Sequence, residues 1–144
     1  MAIIDTSITG SFIEDRDQNV FIGIDLPFYK SNGPEGYFAS TKTTIEAVKN
    51  NIRNLIQTEK GERFLQPNLG INLRKFLFEP ISLGLEDTIR EDVLSTISLW
   101  LPFVNVTQLD INLIDSIDRN QIKINVTFNI NKAQNMLGSV QIEI

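Results

Sequence analysis

Two stretches of the chain carry apolar residues every three to four positions, which is the spacing of an amphipathic helix. The first begins at a capping-box sequence, with Thr43 as N-cap and Glu46 three residues later. Gly61 stands where a left-handed C-terminal cap is expected. We therefore predict one long helix, whose buried face consists of Ile45, Val48, Ile52, Leu55 and Ile56.

The second helical pattern follows a turn at residues 67–70 and a predicted short helix at residues 71–78. Glu86 and Asp87 would lie in its first turn, where carboxylates are favoured by the helix dipole. Pro102 ends the pattern. We predict that the apolar positions of the short helix and of this longer helix are core, namely Leu73, Phe76, Leu77, Leu85, Ile89, Val93, Ile97, Trp100 and Leu101.

After Pro102 the period of the pattern changes to two, which is typical of β-strands with one buried face. A change of parity between Val106 and Leu109 predicts a bulge in the first strand, and residues 115–120 are the predicted turn to the second. The predicted class is α+β, with two main amphipathic helices packed on an antiparallel or mixed sheet. The alternating residues are Val104, Val106, Leu109, Ile111 and Leu113, then Ile122, Ile124, Val126, Phe128 and Ile130, then Val140, Ile142 and Ile144.

The N-terminal part of the chain has a weaker pattern. Residues 1–19 show no sustained period, and we predict an extended arm there. Residues 20–26 predict a strand that Pro27 stops, and Asn32-Gly33-Pro34 predicts a turn. We expect residues 20–144 to form a single domain.

Composition narrows the classes of function. With 42% hydrophobic and 22% charged residues the chain has globular composition, and a net charge of −5 argues against nucleic-acid binding. No apolar run approaches the ~20 residues of a membrane span, and the acidic N-terminus does not resemble a signal peptide. Because the chain has neither Cys nor His, thiolate and imidazole metal sites, disulfides and imidazole-based catalysis are excluded. We expect no metal, no cofactor and a cytoplasmic site of synthesis.

Carboxylates are the remaining candidates for acid and base catalysis. A peptidoglycan hydrolase would use two of Glu59, Glu62 and Glu79, one of them held protonated in an apolar pocket. Glu62-Arg63 is more typical of an ion pair or an interface element. We interpret the chain as a non-enzyme and keep the hydrolase as the alternative.

The last predicted strand is a candidate binding site of another kind. It carries Val140, Ile142 and Ile144, with Glu143 as its single charge. An unprotected edge strand can accept a strand from another chain. The alternative is that this strand pairs on both sides within its own sheet.

A series of short motifs gives the chain a family resemblance. In order, they read Gly23-Ile24-Asp25-Leu26-Pro27-Phe28, Thr58-Glu59-Lys60-Gly61-Glu62-Arg63, Pro67-Asn68-Leu69-Gly70 and Phe78-Glu79-Pro80. By their order and spacing, the chain resembles the small baseplate wedge proteins of contractile-tailed phages. The family also includes the sheath-anchoring component of type VI secretion baseplates, and many of its members are named lysozymes.

The resemblance implies a structural subunit of the tail baseplate, found in the virion and assembled in the host cytoplasm. Its implied partners are the wedge core proteins and the tail sheath protein, with tail tube or hub proteins as further contacts and neither nucleic acid nor membrane. A sheet similar to the sheath handshake region would accept sheath strands and so initiate the sheath. A related secretion or injection device is the alternative setting.

The resemblance also implies docking residues. The family's Glu-Pro-Arg motif, which docks on a helical bundle of the wedge core, corresponds to Glu79 and Pro80, but residue 81 is Ile in place of Arg. Arg90 is the cation that could substitute. The predicted partner-binding residues are Glu62, Arg63, Phe78, Glu79, Pro80 and Ile81, and the predicted strand-addition edge is Val140, Ile142 and Ile144.

Overall fold

The computed structural model describes residues 21–34, 36–79, 84–116, 119–131 and 133–144. The chain divides into two compact units, the first ending at Asn50 and the second running from Asn51 to Ile144. The predicted arm, residues 1–19, lies outside the described residues. The predicted boundary at residue 20 therefore stays a prediction.

The first unit contains a small antiparallel hairpin. Its strands are β1 (Gly23–Ile24) and β2 (Ser40–Thr41), and an isolated bridge between Lys30 and Phe38 continues the pairing. The predicted strand at residues 20–26 is thus reduced to two residues among those described. The side chain of Asp25 accepts hydrogen bonds from the backbone N–H of Leu26 at 2.9 Å and from Asn50 Nδ2 at 3.0 Å. The hairpin also exposes an aromatic cluster formed by Phe28, Tyr37 and Phe38.

Helix α1 (Thr44–Gln57) begins close to the predicted position. The N–H of Glu46 donates to Thr43 Oγ1 at 3.3 Å, whereas the Glu46 carboxylate accepts from the N–H of Lys42 rather than from that of Thr43. The predicted role of Gly61 as the helix cap is wrong, because α1 already ends at Gln57. The positive φ of Gly61, +91°, serves a turn in the following loop, where its N–H donates to the Pro67 carbonyl at 2.7 Å.

The second unit contains two further helices, α2 (Leu73–Phe76) and α3 (Leu85–Trp100). Helix α2 is shorter than predicted at both ends. Of the predicted core positions, Phe76 is buried, but Leu77, Trp100 and Leu101 are half-buried. Glu86 and Asp87 lie in the first turn of α3 as predicted. None of the described helices combines the length and the apolar character that a bilayer span requires.

The sheet of the second unit is antiparallel, with the strand order β3 (Val104–Ser116), β4 (Arg119–Ile130) and β5 (Ala133–Glu143). Helix α3 packs against β3. The register shifts between Val106 and Gln108, which confirms the predicted bulge. Every second residue of β4 is buried, from Ile122 to Ile130, so the central strand forms one wall of the core.

Two predicted limits of the sheet are wrong. Asp115 pairs with Asn120 and Ser116 with Arg119, so the strands extend into the predicted turn at residues 115–120. Strand β5 begins at Ala133 and is much longer than the predicted segment from Val140. Its N-terminal half escapes the pattern because Gly138 occupies the position opposite Phe128, where a larger inward residue would be expected.

Candidate partner-binding surfaces

Residues 58–72, here the 58–72 loop, form a closed turn between α1 and α2. The N–H of Ile71 donates to the Thr58 carbonyl at 2.9 Å, and the N–H of Lys60 donates to Asn72 Oδ1 at 3.1 Å. The ends of the loop therefore lie side by side, as in a compact Ω-loop. These hydrogen bonds fix the backbone on which the Gly-Glu-Arg motif is carried.

The tip of the 58–72 loop exposes two large apolar side chains. Phe64 is 96% exposed and Leu65 is 88% exposed, although the backbone beneath them is held by the closing hydrogen bonds. Single exposed apolar residues are common, but an adjacent pair this exposed on an ordered loop is typical of a contact surface. Neither residue was predicted as a site from the sequence, since neither belongs to a periodic pattern.

Glu62 and Arg63 do not form the ion pair that the sequence suggested. Glu62 Oε2 accepts from the N–H of Glu59 at 3.1 Å, and Arg63 Nη2 donates to Asn54 Oδ1 at 3.3 Å. Both residues are exposed. Each side chain therefore supports the loop locally while its residue remains accessible, and their predicted role in partner binding stays a prediction.

Phe78 and Glu79 follow α2 and are exposed, with Phe78 at 87%. The N–H groups of both residues bond back to α2, to the carbonyls of Lys75 and Phe76. An ion pair between Arg74 Nε and Glu59 Oε1, 3.2 Å apart, joins α2 to the 58–72 loop. Pro80 and Ile81 lie outside the described residues, so the motif as a whole stays a predicted docking site.

Arg90, the predicted substitute for the family's docking arginine, already has two partners within the second unit, and its docking role stays a prediction. Its Nη2 lies 2.9 Å from Glu86 Oε1, and its Nη1 donates to the Leu109 carbonyl at 2.6 Å. Both interactions hold the guanidinium against helix α3 and strand β3.

Strand β5 lies at one edge of the sheet, and the alternation of its hydrogen bonds decides which groups face outward. Ile122 and Ile144 exchange both N–H···O bonds, at 2.9 and 3.0 Å. In an antiparallel ladder such pairs alternate with non-bonded ones, so every second residue from Ile144 backwards bonds to β4. The predicted edge residues, Val140, Ile142 and Ile144, therefore direct their backbone groups inward. The other side of β5, here the free edge, pairs with no strand of the described residues, and the N–H and C=O groups that face it belong to Ser139, Gln141 and Glu143.

Strand β3 forms the opposite edge, and a side chain of α3 occupies one of its outward carbonyls. The same alternation makes Asp110 a bonded partner of Asn125, so the carbonyl of Leu109 points away from β4. That carbonyl accepts the hydrogen bond from Arg90. This hydrogen bond removes one acceptor from the β3 edge, and among the described residues no side chain is found to donate to a carbonyl of β5.

A groove of about 340 Å³ lies at the C-terminal end of β5. Three buried apolar residues contribute to its lining, Ile56, Ile71 and Leu73. The remaining lining residues are Gln57, Glu59, Arg74, Glu143 and Ile144. Glu59 Oε1 lacks a partner with hydrogen-bond geometry, so its 3.2 Å approach to Arg74 Nε is an ionic contact.

The three candidate catalytic carboxylates do not occupy the environments that glycoside hydrolysis requires. Glu62 and Glu79 are exposed, and Glu59 faces the Arg74 guanidinium rather than an apolar wall. A general acid of this class needs an apolar pocket that keeps it protonated. Among the described residues there is also no group of three carboxylates placed to hold a metal ion.

Comparison with known proteins gives this arrangement a family. The family model described as "Baseplate wedge protein gp25" matches residues 42–135, which is more than half of the chain. The chain belongs to this family of baseplate wedge proteins. Baseplate wedge protein gp25 of Enterobacteria phage T4 is 26% identical over 86 residues, covering 60% of this chain and 64% of that protein. The matched part is thus slightly less than two thirds of that relative.

Solved structures share the fold. A crystal structure from Geobacter sulfurreducens, described as a candidate tail lysozyme, has a TM-score of 0.62 at 17% identity, covering 72% of this chain and 92% of that one. A chain of the anti-feeding prophage baseplate has a TM-score of 0.62 at 24% identity, and the match covers 75% of this chain and 83% of that one. A chain of the R2 pyocin baseplate after contraction has a TM-score of 0.50 at 15% identity, and the match covers 78% of this chain and 96% of that one. These likenesses support the α+β fold, whereas membership of the baseplate wedge family rests on the match of residues 42–135 to the family model.

Proposed function

We propose that this wedge protein accepts an extended segment of the tail sheath protein as an additional strand on β5, and that it thereby initiates the first ring of sheath in a phage tail. The observation that supports this most directly is the outward direction of the backbone groups of Ser139, Gln141 and Glu143. An incoming strand would satisfy these groups through main-chain hydrogen bonds. The proposal fits the length of the strand, because β5 spans 11 residues.

The choice of β5 over β3 rests on how each edge is protected. Arg90 already bonds to the outward carbonyl of Leu109 on β3, and α3 packs against that strand. The outward-facing residues of β5 carry one charged side chain, that of Glu143, which pairs with Lys123 Nζ at 3.5 Å. This leaves β5 as the edge that is better suited to strand addition.

A second surface would dock the protein on the wedge core. We propose that it includes the exposed tip of the 58–72 loop, with Glu62 and Arg63, together with the Phe78-Glu79-Pro80-Ile81 segment. The Arg74–Glu59 ion pair supports this grouping, since it joins the loop to the helix that precedes Phe78. Assembly in the host cytoplasm, with the tail tube or hub proteins as further neighbours, belongs to the same proposal.

The test of strand addition is amide hydrogen exchange on the full chain, mixed with the sheath protein of the same tail. We expect new protection at the amides of Ser139, Gln141 and Glu143, because those amides would acquire acceptors in the added strand. Gln141→Pro removes one outward N–H without touching the bonds to β4, and it should abolish the protection. Sheath binding that leaves these amides unprotected, or that Gln141→Pro does not affect, would refute strand addition at β5.

The test of docking is a pull-down of baseplate proteins from a lysate of the assembling system. Wild type should recover large wedge proteins, and Glu79→Ala should lose them while still binding purified sheath protein. Recovery of the same wedge proteins by wild type and by Glu79→Ala would show that Glu79 has no docking role.

A further inference from the structure

A cavity of about 180 Å³, here the Trp100 pocket, lies between helix α1, the 58–72 loop and the C-terminal end of α3. All the residues that line it belong to the second unit. The proposed strand addition does not involve this pocket, because its lining comes from the helices and the loop and not from β5. The lining residues are Asn51, Asn54, Leu55, Arg63, Gln66, Leu69, Trp100 and Leu101.

The apolar part of the Trp100 pocket is accessible. Leu69, Trp100 and Leu101 are each half-buried, and the exposed surface of the pocket is more apolar than polar. An apolar side chain that entered the pocket would therefore remove both its own surface and that of the lining from water. The volume exceeds the ~150 Å³ that holds a benzene molecule in an engineered protein cavity, so one large aliphatic or aromatic side chain would fit.

Arg63 supplies the charge at the rim of the pocket. Its Nη2 donates to the neutral side chain of Asn54 at 3.3 Å, and no carboxylate of the described residues lies within ion-pair distance of it. No described lining residue is acidic, although the chain has a net charge of −5. The opposing partial charge at the C-terminal end of α3 is only about half a unit. A carboxylate is therefore the charged group that complements this rim.

The pocket is continuous with the proposed docking surface. Arg63 and Gln66 line the pocket, and the exposed residues Phe64 and Leu65 lie between them in the chain. A partner that contacts the loop tip would thus also reach the opening of the pocket. Tryptophan and arginine, which the pocket presents at Trp100 and Arg63, are the residue types enriched among those that dominate the energy of protein interfaces.

We propose that the Trp100 pocket binds one large apolar side chain of the wedge core, and that Arg63 pairs with a carboxylate on the same segment of that partner. The inference rests on the proposed docking function and goes beyond it, since it assigns a chemical requirement to the partner. If that segment is an α-helix, the apolar and the acidic residue would be three or four positions apart, because residues at this spacing share one face.

The first test measures the affinity of purified wedge core proteins of the same tail for the full chain and two variants. Asn51→Trp fills the pocket from α1, and Asn51→Ala leaves it open at the same position. We expect Asn51→Trp to weaken binding about tenfold or more and Asn51→Ala to leave it unchanged. Both variants should unfold at the urea concentration of wild type, because Asn51 is exposed.

The second test concerns the charge at the rim. Arg63→Met keeps the aliphatic part of the side chain without its charge, whereas Arg63→Lys keeps the charge. We expect Arg63→Met to weaken binding about threefold at low salt and Arg63→Lys to bind close to wild type. The difference between Arg63→Met and wild type should shrink as salt is added, because salt screens an exposed ion pair. A loss that is independent of salt would overturn the pairing with a carboxylate.

The variants separate this inference from the docking proposal. If Phe64→Ser/Leu65→Ser abolishes binding but Asn51→Trp leaves it unchanged, docking by the loop holds and the pocket has no role. If wild type binds no wedge core protein, docking fails and the pocket assignment fails with it. Equal weakening by Asn51→Trp and Asn51→Ala would also overturn the assignment, since the open pocket would then not be the cause. Loss with Asn51→Trp alone, together with a salt-dependent loss with Arg63→Met, supports it.

Discussion

Gly70 lies so close to Thr58 that a Cβ at residue 70 would overlap the Thr58 carbonyl group, 2.7 Å from its carbon atom. The same carbonyl accepts the hydrogen bond from the N–H of Ile71, and Gly70 has a φ of +104°. The close approach and the left-handed backbone both require glycine. This contact joins the two ends of the loop whose tip carries Phe64 and Leu65.

Gly70→Ala should therefore destabilise the protein. The positive φ alone costs about 1–3 kcal/mol for a residue with a side chain, and the overlap with backbone atoms of Thr58 adds to that cost because they cannot rotate away. Urea denaturation should show a lower midpoint than that of wild type. The matched control is Gly61→Ala, which should lose less stability, since Gly61 also has a positive φ, +91°, but a Cβ added there would meet open space. Equal midpoints for both variants would contradict this account of the loop.

The periodic pattern predicted the helices and strands that bury the same face along their whole length. Helices α1 and α3 and strand β4 each bury one face, so period alone identifies them. In the hairpin, the strand that contains β1 was predicted, but β2 and its pairing with β1 were not, because two-residue strands have no repeated period and depend on contacts distant in sequence. The first half of β5 was missed for a different reason, which concerns Gly138.

Gly138 pairs with Phe128 across the sheet, and a Cβ on Gly138 would lie 2.6 Å from the Phe128 ring. Phe128 is completely buried, so its ring has little room to move. We expect Gly138→Ala to cost about 1–3 kcal/mol through overpacking. Adding Phe128→Leu should recover part of that loss, because the smaller side chain makes room for the new Cβ. The double variant should therefore lose less stability than the sum of the losses of the two single variants.

Thermal or urea unfolding of the four proteins in this cycle measures the coupling directly. Additive effects of Gly138→Ala and Phe128→Leu would show that the two positions do not share one space, and would remove the reason given for a glycine in an inward-facing position of β5.

Sequence reasoning predicted only part of the candidate partner-binding surfaces. Motifs selected Glu62, Arg63, Phe78 and Glu79, and the structure describes all four as exposed. Phe64 and Leu65 were missed, because an apolar residue next to a motif is normally assigned to the core, and only the closed loop shows otherwise. The outward groups of β5 were misassigned for a similar reason, since side-chain alternation does not reveal which backbone groups already have partners.

Replacing both tip residues in Phe64→Ser/Leu65→Ser should leave stability within about 0.5 kcal/mol of wild type, because neither side chain loses burial. Docking on the wedge core should be strongly reduced, since a large apolar contact would be lost from the proposed interface. The pull-down with quantification of wedge proteins measures this. Leu99→Ser removes an exposed leucine from α3 and serves as the control, with recovery expected to remain at the wild-type level. Unchanged recovery with the double variant would exclude the loop tip from the interface.

The direction of the backbone groups of β5 leads to opposite expectations for proline at neighbouring positions. Gln141→Pro removes an N–H that faces the free edge, so its stability should change by about 1 kcal/mol or less. Ile142→Pro removes an N–H that bonds to Ile124, and it should cost about 3 kcal/mol or more, enough to populate unfolded protein. Urea denaturation monitored by circular dichroism distinguishes the two. If both variants unfold alike, the free edge of β5 is not formed by Ser139, Gln141 and Glu143, and the sheath strand would have to bind elsewhere.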